Sequence, residues 1–126
     1  MLNDGWHISG SSDVFWGSEE DQSNPLLGVW CSVARRDFWG NVLEPSEAIT
    51  VTEALRMHTL YAAEALGVQG SRGSLEAGKL ADLVVLDKDP REIPANEIRG
   101  VKVDYVFVDG AMAYEREGAE KPAVRG

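Results

Sequence analysis

Gly73-Ser74-Leu75-Glu76-Ala77-Gly78-Lys79-Leu80-Ala81-Asp82-Leu83-Val84-Val85-Leu86-Asp87 is the stretch whose reading decides the fold. Its first half is a turn punctuated by Gly73 and Gly78. Its second half, residues 83–86, is an apolar run of strand length. A Val-rich run of this kind fits a strand covered on both faces. Downstream, Asp89-Pro90 ends that strand. Residues 91–100 read as a connection with a short helical turn over 94–98. Residues 101–108 alternate, with Val101, Val103, Tyr105 and Phe107 on one face. Asp109-Gly110 is a hairpin signal, and residues 111–115 are the return strand. The polar stretch 116–126 reads as a frayed tail.

Upstream the pattern changes to helix. Thr50-Val51-Thr52-Glu53 fits a capping box, with Thr50 as N-cap and Glu53 reaching back to its amide. One helix is expected from there to Leu66, with Ala54, Leu55, His58, Ala62, Ala65 and Leu66 on one face and Gly67 as its stop. Another is expected over 26–36, with Leu27, Trp30, Cys31 and Ala34 sharing a face. Residues 6–9 have the length of a short strand, and Gly10-Ser11-Ser12-Asp13 follows as a loop. A lone strand ahead of two helices has no partner nearby in sequence, yet its backbone groups need one. That order lacks the βαβ alternation of a self-contained parallel sheet.

The chain has 126 residues and a formal net charge of −9. An acidic chain is a poor ligand for nucleic-acid phosphates, which require clustered Lys and Arg, and for an anionic membrane surface. No apolar run approaches the roughly 20 residues of a membrane span. Neither a basic n-region nor a long apolar core marks the N-terminus, so a cytoplasmic protein is expected. The single Cys31 excludes an intramolecular disulfide.

Asp13 is the leading candidate for chemistry. A carboxylate in a loop after a strand can ligate a divalent metal and exchange a proton with water. From the local sequence alone, an Asp in a Ser-rich loop is more often an Asx-turn or N-cap residue. Trp16 belongs to a set of four tryptophans in the first third of the chain, suited to a substrate wall or to core packing. Arg35-Arg36 can grip a substrate carboxylate or simply complement a helix C-terminus. His7 and His58 read as packed histidines, Cys31 as a small hydrophobe, and Lys79 and Asp82 as turn determinants.

The motif Gly-Lys-Leu-Ala-Asp at 78–82, with Ser12-Asp13, Asn24-Pro25-Leu26, Val33-Ala34-Arg35-Arg36, Glu53-Ala54-Leu55-Arg56 and Val106-Phe107-Val108-Asp109-Gly110, resembles the C-terminal part of metal-dependent amidohydrolases. The nearest branch is that of the N-substituted formamide deformylase-like enzymes. The resemblance implies an α/β fold with added β structure. Residues 1–67 would be the end of a (β/α)8 TIM barrel, comprising strand 8 and the helices after it. Residues 68–115 would be strands of a small β-sandwich, and 116–126 a tail. It further implies hydrolysis of a non-peptide carbon–nitrogen bond in a small-molecule substrate. Asp13 would be both metal-site residue and proton shuttle, and zinc the expected metal. The family's His-x-His pair, its bridging carboxylate or carboxylated Lys, and its later His ligands have no counterpart here. One carboxylate cannot compose a zinc site. The isolated chain is therefore expected to be inactive and to hold no metal tightly. The alternative is a non-catalytic α+β interaction module, forming a homo-oligomer through exposed strand edges.

Overall fold

The computed structural model describes residues 5–12, 23–37 and 39–121. Helix α1 spans Pro25–Ala34. The Asn24 side chain accepts from the Leu26 amide at 3.0 Å, and Pro25 occupies the first turn, where its missing N–H costs nothing. The helix stops two residues before the expected end because Arg35 turns left-handed, with φ of 48°.

The single helix expected after Thr50 is two helices, α2 (Val51–Met57) and α3 (Leu60–Ala65). The capping box forms as expected: Glu53 accepts from the Thr50 amide at 2.8 Å, and the Glu53 amide donates to Thr50 Oγ1 at 3.2 Å. The break falls at Thr59. Its hydroxyl donates to the Leu55 carbonyl at 2.8 Å, a back-bond that bends helices. The amides of His58 and Thr59 tighten onto carbonyls three residues back. The turn at Gly73 also presses there: a Cβ on Gly73 would lie 2.6 Å from that of Ala63 and 3.2 Å from the Thr59 carbonyl oxygen.

Strands β1 (Leu83–Leu86), β2 (Val103–Val108) and β3 (Ala111–Glu115) form one antiparallel sheet in the order β1-β2-β3. Val84 faces Val106, which faces Tyr114 in turn. Asp109 and Gly110 both have positive φ, as a tight hairpin requires. The signature run is bound to this hairpin. Asp82 Oδ1 accepts from the Asp109 amide at 2.8 Å, the Ala81 carbonyl accepts from the Gly110 amide at 3.1 Å, and Arg72 pairs with the other Asp82 oxygen. Lys79 donates to Ser74 at 2.6 Å across the turn. Residues 79 and 82 thus act as turn determinants. The expectation that β1 is covered on both faces fails: Val84 is 56% exposed, lining an open cleft between the sheet and α3.

The core is helical. Val29 and Trp30 of α1, Ala54 of α2, and Ile98 from a 3-10 turn at Ala95–Gly100 are buried together. Ile98 lies in the connection between β1 and β2, so a residue beyond the expected division at residue 67 completes the helical core. The start of the expected tail is tied back. Arg116 donates two hydrogen bonds to the buried Asp104, and Tyr105 donates to the Glu120 carbonyl at 3.2 Å. Residues 6–9 form no strand; among the described residues no neighbouring strand lies alongside them.

Candidate active-site segment

Residues 6–12 run along the α2–α3 unit and lead into Asp13. His7 stacks on Tyr61, with ring centroids 4.2 Å apart and planes within 15°. Its Nδ1 meets Glu64 Oε2 at 2.5 Å. Three residues on, the Gly10 amide donates to the Met57 carbonyl at 2.9 Å. His58 follows Met57 at the break between the helices, half-buried. Burial holds its imidazole below the ordinary value of 6.5, so the ring is neutral at pH 7. Both histidines are packed, as the sequence suggested, although His7 achieves this on the surface through an acid and an aromatic ring.

Asp13 and Trp16, the candidate catalytic and substrate-wall residues, lie outside the described residues. Arg35 lines an open cleft of about 700 Å³ together with Ile8, Ser32, Glu47, Glu53 and Met57. Its Nε donates to the carbonyls of Leu43 and Glu44 at 3.1 and 3.3 Å, stitching the loop after α1. Arg36 donates to the Gly40 carbonyl at 2.7 Å within the same loop. Asp37 completes that loop through the Asn41 amide and side chain, and these hydrogen bonds hold its carboxyl below the usual range. The structure brings Arg35 to the cleft beside Ile8 and leaves Arg36 exposed on the loop.

Burial pushes the Cys31 thiol up, against the opposing pull of Arg99 and Arg35. A protonated, half-buried thiol is a poor nucleophile. Among the described residues, no group of three or more His, Cys, Asp or Glu side chains stands close enough to hold one metal ion. The described residues therefore do not by themselves fit the divalent metal that the resemblance implies. No described helix is long and apolar enough to cross a membrane. Sequence reasoning missed the close meeting of Gly10, Gly28 and His58. Its signal was present as a glycine inside a helix pattern, a position that calls for a packing reason.

Known proteins are similar to this chain in sequence and fold. N-substituted formamide deformylase of Arthrobacter pascens is 43% identical over 119 residues, covering 94% of this chain and 21% of that enzyme. A 5-methylthioadenosine/S-adenosylhomocysteine deaminase of Moorella thermoacetica is 41% identical over 73 residues, covering 51% of this chain and 17% of its own length. The crystal structure of an amidohydrolase from Thermotoga maritima superimposes with a TM-score of 0.64 over 91% of this chain and 24% of that one, at 23% identity, which speaks for the fold. The chain thus spans about a fifth to a quarter of the relatives it matches over most of its length. The sequence pattern of the Amidohydrolase family matches residues 1–114. The chain belongs to the Amidohydrolase family.

Proposed function

We propose that this chain supplies the closing part of an amidohydrolase catalytic unit, the end of the (β/α)8 barrel with part of the β-sandwich, and that Asp13 moves the proton during hydrolysis of a non-peptide carbon–nitrogen bond. The observation that carries this reading is the placement of residues 7–10. A family match over residues 1–114 coincides with a segment held on α2 and α3 at His7 and Gly10 and running directly into Ser11-Ser12-Asp13. A carboxylate there can take a proton from the attacking water and return it to the departing nitrogen, which is general base followed by general acid. Arg35, on the cleft beside Ile8, and with it Arg36 and Trp16, are assigned to the substrate. The relative at 43% identity points to an N-substituted formamide as substrate class. The metal dependence expected of the family, with zinc as the metal, requires ligands beyond the described residues, and no step is assigned to it here.

The test is a chimera in which this chain replaces the matching segment of the Arthrobacter pascens enzyme. Hydrolysis of an N-substituted formamide is expected, and Asp13→Asn should lower kcat by about 100-fold or more. Near-full turnover by the Asn variant removes Asp13 from the mechanism. A second reading, the self-associating module, is favoured by one observation: β1 and β3 each have an open edge among the described residues, with Val84, Val108, Met112 and Tyr114 exposed.

A further inference from the structure

Gly10 and Gly28 have no conformational reason to be glycine, but both have a packing reason. Neither Gly10 nor Gly28 has a positive φ. Gly28 lies inside α1, where glycine is disfavoured relative to alanine. Both meet the same edge of one ring. A Cβ on Gly10 would lie 2.7 Å from both Cε1 and Nε2 of His58, and one on Gly28 would lie 2.9 Å from Nε2 and 3.0 Å from Cε1. At those distances a Cβ at either position would force the His58 ring to shift. The His58 ring therefore sits between the backbone of the segment leading to Asp13 and the backbone of α1. The neighbouring Met57 carbonyl accepts the Gly10 amide, so backbone and ring of consecutive residues hold Gly10 from one side.

We propose that His58 is a positioning residue: its imidazole edge seats Gly10 against α1 and fixes the backbone three residues ahead of Asp13. It does not touch the reacting atoms. The clasp of His7 on Glu64 and Tyr61 holds the same segment three residues earlier, so the seat adds a second point of attachment to a segment already anchored. The role in catalysis rests on the function proposed above for Asp13; the seat itself rests only on the contacts.

The two are separable by experiment. Amide exchange is followed by NMR in the 126-residue chain, with the β2 amides of Tyr105 and Val106 as a reference for the global fold. Gly10→Ala should speed exchange of the residue 10 amide at least tenfold and leave the β2 amides within threefold. Adding His58→Ala removes the ring that the new methyl strikes, and should restore protection at residue 10 to within threefold of the single His58→Ala variant. Unchanged protection in Gly10→Ala, or no rescue by His58→Ala, overturns the seat. If Gly10→Ala does not fold, Gly28→Ala decides. It should lower the melting temperature when His58 is present and raise it when position 58 is Ala, because a helix-interior methyl is then accommodated. The same sign in both backgrounds overturns the seat. In the chimera, Gly10→Ala should lower kcat at least tenfold with KM within twofold, and the double variant should recover kcat. An unchanged kcat overturns the positioning role while the exchange data still judge the seat. A chimera indifferent to Asp13→Asn overturns the proposed function, with the seat left standing on its own measurements.

Discussion

At the scale of single residues, His58 shows how much a side chain's neighbours decide. Its ring is neutral because burial disfavours the charged form. The unfolded chain takes up a proton at this position once the pH falls below about 6.5, the ordinary imidazole value, while the folded chain resists until a lower pH. Stability from the neutral ring is thus fully present above that value and is lost as the pH drops through the window beneath it. Urea midpoints measured at pH 7.5 and 5.5 should fall more for the wild type than for His58→Gln. Equal falls would show that the ring carries no such dependence. Asp89 behaves in the carboxylate sense. Hydrogen bonds from the Arg91 side chain and amide hold it at about 2, but the pair is exposed and screened. The sequence identified both histidines as packed and Asp82 as structural. It gave no hint of which ring edge meets which glycine, because those contacts join residues 30 and 48 positions apart along the chain.

At the scale of elements, the locally encoded features appear where expected. The capping box at Thr50, the stop at Gly67, the turn at Asp109-Gly110 and the strand 111–115 all depend on interactions within a few residues. The features that differ depend on distant chain. The helix breaks at Thr59 where the Gly73 turn presses on it, and periodicity alone cannot register a neighbour fourteen residues away. β1 has the composition of a doubly covered strand, yet its Val84 is more than half exposed. In the same way residues 6–9 have the composition of a strand and form none. Strand character in a sequence states what a segment can pair with, and pairing needs the partner.

At the scale of the whole molecule, helices and sheet are joined through Ile98, carried from the β1–β2 connection into the cluster of Val29, Trp30 and Ala54. That junction was illegible in the sequence, where residues 94–98 read only as a helical turn. Two open sheet edges and exposed apolar groups, among them Leu66 at 78% and Leu75 at 74%, act against a net charge of −9. Sedimentation velocity on the 13.7 kDa chain should therefore show association that grows with protein concentration and with added salt, which screens the repulsion. Val84→Lys on the open face of β1 should reverse it. A monomer under all conditions would remove the self-associating module. The bond from the Asp109 amide to Asp82 spans 27 residues, and this has a consequence in time. The β2–β3 hairpin closes through a two-residue turn, an event of about 1–10 μs. β1 can join only after the long connection through Ile98 has been looped, which is slower. Pulse-labelling during refolding should find the hairpin amides protected before that of Gly110, which waits for the Ala81 carbonyl; the reverse order would contradict it. The fifteen residues that reveal the family at a glance then lock into place only after the hairpin they bind.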